Sequence, residues 1–155
     1  MAETLGSLCD KLTIVKLKQY HSQDEKRLAS LADQERQLID EIDAFVGGAL
    51  CGTISARRLT FAANKVYKVE GNSIAEFGGD IGELFSRLAS VNCRLWHEQE
   101  KVYDFARVAA KEKDIVVKQL ALLNLERNVC IDKIDHRFTA IITSRITEDS
   151  PTRSA

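Results

Sequence analysis

The chain has 155 residues, a formal net charge of −1 and 45% hydrophobic residues, which together predict one soluble globular domain. Near-neutral charge argues against a nucleic-acid-binding protein, because contact with a phosphate backbone requires a basic surface. Glycine and proline together number nine, where average usage would give roughly 18. So few turn residues exclude an all-β sandwich and predict an all-α bundle of long helices.

Two further features indicate where in the cell the protein is expected. The longest uncharged run, residues 44–56, is too short and too glycine-rich to span a bilayer, and no signal-peptide pattern opens the chain. The four cysteines are far apart and form no CxxC pair, as expected for reduced thiols. These features predict a cytoplasmic protein without a membrane span.

The first predicted element occupies residues 7–46, which contain neither glycine nor proline and place apolar residues at helical spacing. This pattern fits either one long amphipathic helix or a helical hairpin. A hairpin would break at Ser22-Gln23-Asp24-Glu25, which has capping-box spacing. Gly47 and Gly48 supply the expected C-terminal stop.

Residues 47–80 hold six of the eight glycines, and Gly82 follows just beyond them, so this segment predicts a loop-rich connector. We expect a short helix from about Ser55 to Val69 within it. A small β-hairpin around Glu70-Gly71-Asn72 is the alternative, because residues 66–69 are rich in strand formers.

The second long stretch begins at Glu83 and repeats the amphipathic pattern. We expect it to break near Asp114, whose side chain could cap the helix that follows. Residues 1–147 are then one helical-bundle domain, and residues 148–155, which include Pro151, form a disordered tail.

An internal repeat relates the two stretches. Residues 6–24 align with residues 82–100 at an offset of 76, and the motif at residues 39–43 is echoed at residues 131–135. Six positions of the first alignment are identical: Gly6/Gly82, Leu8/Leu84, Leu12/Leu88, Val15/Val91, His21/His97 and Gln23/Gln99. The repeat predicts two units, about 5–46 and 81–142, packed about a pseudo-two-fold axis.

The repeat also contains polar residues that core packing does not explain. His21 and Asp24 fall between Leu17 and Leu28 on an apolar stripe, and His97 and Glu100 occupy the equivalent places. Buried polar groups need partners, so we expect these four side chains to form a structural polar layer. If the two units converge, the same side chains could instead bind a divalent metal or a phosphate group.

Five more polar residues are secondary candidates for this site. Asp40 and Asp43 match Asp132 and Asp135 in the Ile-Asp-x-Ile-Asp motif, again three residues apart. Arg127 interrupts an apolar stripe between Leu123 and Cys130, where it could be the counter-charge of a buried acid.

The second unit resembles an uncharacterised bacterial family, a domain of unknown function. The motifs that carry the resemblance are Leu95-Trp96-His97-Glu98, Leu123-Asn124, Arg127-Asn128 and Ile131-Asp132-Lys133-Ile134-Asp135. The resemblance covers residues 81–138, with a degenerate copy in residues 5–46. It implies a setting near the glycosyltransferases of surface-polysaccharide biosynthesis, and it implies no catalytic residues.

We therefore expect a non-catalytic accessory or scaffold protein that binds a partner protein and forms a homodimer. Long amphipathic helices favour this function because they rarely bury both edges within one small chain. The alternative is a metal-dependent hydrolase or phosphate-binding enzyme, with a divalent metal at His21, Asp24, His97 and Glu100.

Overall fold

The computed structural model describes residues 2–61 and 73–148. Within these residues four α-helices form the fold: α1 (Leu5–Tyr20), α2 (Glu25–Leu50), α3 (Ile81–Tyr103) and α4 (Ala110–Glu148). No strand occurs in the described ranges, so the predicted all-α helical bundle is confirmed. Among the described helices, none is both long and apolar enough to cross a membrane.

The first long stretch is a helical hairpin. α1 ends at Tyr20, and α2 begins at Glu25 with Asp24 as its N-cap. The Asp24 carboxylate accepts a hydrogen bond from the Arg27 N–H at 2.7 Å, which satisfies one of the unpaired donors of the first turn. The break therefore falls within the segment that has capping-box spacing.

The predicted stop at Gly47 and Gly48 is wrong, because α2 continues to Leu50. Gly48 allows the following loop to fold back against the helix: a Cβ there would lie 2.9 Å from the Ile54 Cδ1 atom. Its carbonyl also accepts the Ile54 N–H at 3.0 Å. The chain reverses at Gly52, whose φ of +74° lies in the left-handed region that glycine tolerates.

The connector holds less regular structure than predicted over its described residues. The helix expected from Ser55 begins as a 3-10 turn, Ala56–Arg58, and residues 59–61 are not helical. Leu59 is fully buried in the core, so tertiary packing ends the turn at this point. The rest of that predicted helix, and the alternative hairpin at Glu70-Gly71-Asn72, lie outside the described residues. The predicted tail from residue 149 onward lies outside them too.

The break in the second stretch lies at residues 104–109, so the predicted break near Asp114 is wrong. Side-chain pairs one helical turn apart extend α3 as far as Tyr103. The Trp96 indole donates to Glu100 at 2.9 Å, and Lys101 pairs with Glu98 at 2.6 Å. Asp114 lies within the first turns of α4.

Helix α1 is the centre of the packing, since it contacts α2, α3 and α4. The core joins α3 and α4 through Leu88, Val91, Cys130 and Ile134. Within the described helices, α2 and α3 make no contact comparable to that of α1 and α4. A pseudo-two-fold axis would make those two contacts equivalent, so the packing lacks the symmetry that the repeat predicts.

The N-terminus of α1 sits directly on α4. The Gly6 N–H donates to the Asp135 Oδ1 atom at 2.7 Å, and a Cβ on Gly6 would lie 2.6 Å from the Ile131 carbonyl oxygen. Only glycine fits this approach. For its repeat partner Gly82, no atom of the described residues lies within 4 Å of the equivalent Cβ position, so the two matched glycines differ in role.

Candidate functional site

The structure brings His21 and His97 together at the end of the bundle where α1 meets α2. Their ring centroids are 6.2 Å apart in an edge-to-face arrangement. His21 also stacks on Trp96 at 4.8 Å, with 14° between the ring planes. The two histidines of the repeat therefore share one surface.

The predicted burial of this cluster is wrong, because His21, Asp24, His97 and Glu100 are all exposed. The prediction assumed that one helical stripe runs from Leu17 to Leu28. Because α1 ends at Tyr20, the intervening residues form the turn of the hairpin. Solvent covers the side chains that helical spacing would have placed in the core.

The two acids of the cluster have separate partners. Glu100 accepts hydrogen bonds from the Trp96 indole and from His97, and these bonds lower the pKa of its carboxyl group. Asp24 caps α2 instead. Over the described ranges, no three His, Cys, Asp or Glu side chains lie close enough to hold a metal ion. The geometry therefore gives a histidine–tryptophan surface without a metal-ligand set.

The Ile-Asp-x-Ile-Asp motifs serve different purposes in the two hairpins. Asp40 and Asp43 are exposed on α2, whereas Asp132 is half-buried and Asp135 is buried on α4. Burial raises the pKa of the Asp135 carboxyl group to about 6, although hydrogen bonds from Gly6 and Thr4 oppose this shift. Asp135 thus serves as a tertiary partner for the positive end of the α1 dipole.

Arg127 has the buried acidic partner that its position suggests, and that partner is Asp10. The Arg127 Nε atom donates to Asp10 Oδ1 at 2.7 Å, and Nη2 donates to the second carboxylate oxygen. This bidentate hydrogen bond is the main cause of a raised pKa at Arg127, and the negative charge of Asp10 adds to the effect. The pair joins α1 to α4.

Asn92 completes this polar network from α3. Its Nδ2 atom donates to Asp10 Oδ1 at 2.9 Å and to Thr13 Oγ1 at 2.6 Å. The side chain is fully buried, and its Oδ1 atom has no hydrogen-bond partner among the residues that the structure describes. Sequence reasoning missed Asp10 and Asn92, although Asn92 is a polar residue between Leu88 and Leu95 on a buried stripe.

Two clefts flank Arg127. The α1–α2 cleft, of about 350 Å³, has Asp10 and Arg127 at one side and residues of both helices around it. The α3–α4 cleft, of about 320 Å³, is lined by Ile14, Asn92, Leu95, Trp96, Gln99, Val102, Leu120, Asn124 and Arg127. Residues from two motifs that are distant in sequence, Leu95-Trp96 and Asn124 with Arg127, meet in the α3–α4 cleft.

A third opening is apolar and lies at the opposite end of the bundle from the histidines. This end groove, of about 430 Å³, is lined by Leu5, Cys9, Ile42, Val46, Leu50, Ile81, Phe85, Phe138, Ile141, Ile142 and Arg145. All four helices contribute to it. Leu50 and Ile141 on its walls are 55% and 36% exposed.

Comparison with protein-family models, with curated proteins and with solved structures finds no match for the chain. The family resemblance stays a prediction, and function must be argued from the geometry.

Proposed function

We propose that the protein is a cytoplasmic, non-catalytic accessory or scaffold protein that acts by binding, and that it does so as a homodimer. The observation that carries the proposal is the end groove. Its wall is built from apolar side chains of all four helices, with Arg145 as the charged residue that lines it. The resemblance of the second unit extends this proposal to surface-polysaccharide biosynthesis.

The end groove supports a protein contact because it leaves large apolar side chains in water. Leu50 is more than half exposed, and Ile141 lies one helical turn beyond the buried Phe138. Each Å² of apolar surface that leaves water contributes about 25 cal/mol. A contiguous apolar patch of this kind is typical of an interaction surface.

A second copy of the chain is the proposed occupant. A two-fold dimer interface pairs a patch with itself, so that patch must contain both a recess and a projection. The end groove meets this requirement, since Leu50 and Ile141 project beside the recess between Leu5, Phe85 and Phe138. Each copy can insert its projecting pair into the groove of the other.

Two buried thiols and the pair of neighbouring histidines favour binding over catalysis. Burial raises the pKa of the Cys9 and Cys130 thiols to about 11, far above the range of a nucleophilic thiolate. The two paired histidines lie on an open surface rather than in a water-excluding pocket. Neither arrangement meets the geometric requirements of a hydrolytic site.

Light scattering coupled to size exclusion tests the dimer. We expect a particle of about twice the 17.3 kDa chain mass at micromolar concentration. Ile141→Lys should give a monomer, because it places a charge inside the apolar contact. Ile115→Lys is the matched control, since Ile115 is 58% exposed and lies outside the end groove.

Two results would contradict the dimer: a wild-type chain that stays monomeric over the whole concentration range, or equal dissociation by both substitutions. Circular dichroism of each variant separates loss of the contact from loss of the fold. A hydrolytic activity that needs added metal and disappears in His97→Ala would contradict the non-catalytic part of the proposal.

A further inference from the structure

The α3–α4 cleft borders the one described buried side-chain atom that lacks a hydrogen bond, Asn92 Oδ1. The amide orientation is fixed by its neighbours. The Asp10 carboxylate can only accept, and Thr13 already donates its hydroxyl to the Asp10 carbonyl, so both need the Nδ2 donor. The unpaired oxygen calls for a donor that the described protein does not provide.

Arg127 offers the complementary group in the same cleft. Its Nε and Nη2 atoms are committed to Asp10, while Nη1 retains two donors and the side chain is 32% exposed. The charge of Asp10 balances that of Arg127, and no other described residue that lines the cleft is cationic. A phosphate dianion would therefore meet no net positive charge, whereas a ligand whose carboxylate is balanced by its own ammonium group is neutral overall and can still accept from the guanidinium.

The remaining walls are mostly apolar. Ile14, Leu95, Val102 and Leu120 line the cleft together with the indole of Trp96. A volume of about 320 Å³ lies at the small end of ligand pockets, which span roughly 300 to 1,000 Å³. The cleft thus suits a small molecule with an apolar body, a hydrogen-bond donor and an adjacent anionic acceptor.

We propose that this cleft binds a free α-amino acid with an apolar side chain. The ammonium group donates to Asn92 Oδ1, the carboxylate accepts from Arg127 Nη1, and the side chain packs against Leu95, Val102 and Leu120. Oδ1 is itself covered, so the ammonium reaches it when a side chain of the cleft wall turns aside. This ligand site is separate from the end groove and goes beyond the proposed dimeric scaffold.

Calorimetry and thermal shift with leucine and phenylalanine test the site. For ligands of this size we expect a Kd on the order of 0.1 to 1 mM and a saturable rise in Tm. Leucinamide, which lacks the carboxylate, and N-acetyl-leucine, which lacks the ammonium group, should each bind at least about 10-fold more weakly. Inorganic phosphate should not bind.

A matched pair of variants locates the binding. Val102→Trp fills the cleft at a position that is 37% exposed, and Val117→Trp adds the same ring at a position that is 55% exposed and outside the cleft. Binding should be lost in the first variant and unchanged in the second. Because neither substitution touches the buried network, both variants should fold.

Three outcomes would overturn the proposal. The first is no binding of any apolar amino acid up to about 10 mM, which leaves a bound water as the partner of Asn92. The second is binding that survives Val102→Trp. The third is equal affinity for leucine, leucinamide and N-acetyl-leucine, which would assign the affinity to the apolar walls alone.

Discussion

Asp135 makes the stability of the protein depend on pH in a direction opposite to that of most carboxylates. Its pKa rises from 3.8 to about 6 on folding, mainly through burial. Between about pH 4 and pH 6 the native state therefore holds more protons than the unfolded state, and this group's contribution to stability falls as pH rises. Above pH 6 the contribution is lost.

Asp135→Asn should remove this decrease in stability with rising pH. The amide oxygen of asparagine can still accept the Gly6 N–H, but the side chain does not ionise. Urea unfolding midpoints at pH 4, 5, 6 and 7 measure the effect as the difference between variant and wild type. Asp40→Asn, at an exposed position, is the control. An unchanged pH profile in Asp135→Asn would contradict the assignment.

At this residue scale, the sequence shows which side chains are polar on an apolar stripe but not what they contact. The sequence predicts that Arg127 is the counter-charge of a buried acid, and its ion pair with the buried Asp10 is of that kind. Its partner Asp10 is 117 residues away, and the Gly6 partner of Asp135 is 129 residues away. Local spacing carries no information about contacts of that separation.

The N-terminus of α2 depends on Asp24. Asp24→Ala should lower the free energy of unfolding by about 1 kcal/mol, because the Arg27 N–H loses its acceptor. Asp24→Asn should stay close to wild type, since asparagine caps helices about as well. Chemical denaturation followed by circular dichroism measures both. Equal losses in the two variants would show that charge, rather than capping, is what Asp24 supplies.

The helices themselves could be predicted at the element scale, but not all of their ends. The apolar period identified the long helical stretches, and the polar segment at residues 22–25 located the first turn. The Gly47-Gly48 pair does not end α2, because Gly48 instead allows close packing of the following loop against Ile54. The break near Asp114 is misplaced because the chain leaves the helix earlier, after Tyr103, and Asp114 lies inside α4 instead of capping it. The positions of these helix ends depend on contacts that a local sequence pattern does not reveal.

The Asp10–Asn92–Arg127 network holds three helices in register across the whole molecule. Arg127→Met should destabilise the protein by about 3 kcal/mol, because it leaves the buried Asp10 carboxylate without its counter-charge. The double variant Asp10→Leu/Arg127→Met should recover part of that loss, since it removes the buried charge as well. Urea unfolding of the two single variants and the double variant completes the cycle.

Additive losses in that cycle would mean that the two side chains do not act as a pair. Arg107→Met is a suitable control, because Arg107 pairs with Asp104 on the exposed turn between α3 and α4. We expect its effect to stay below about 1 kcal/mol.

The architecture could be predicted at the scale of the molecule, while its asymmetry could not. The repeat aligns α1 with α3, yet α1 packs against all three other helices, whereas α2 packs mainly against α1. Gly6 and Gly82 are identical in sequence, but close packing explains glycine at Gly6 alone. Packing therefore gives equivalent residues different surroundings: His21 is exposed in the turn after α1, whereas His97 is exposed on the helix α3.

The central position of α1 also has a consequence for the order in which the chain can fold. Of the four helices, α1 leaves the ribosome before the others, but Asp135 and Arg127, which bind its N-terminus and its buried acid, follow more than 100 residues later. The α3–α4 hairpin is joined by a six-residue turn and can form as soon as it is made. Docking of α1 onto α4 must wait for α4, so the earliest made of these four helices is among the last to reach its final position.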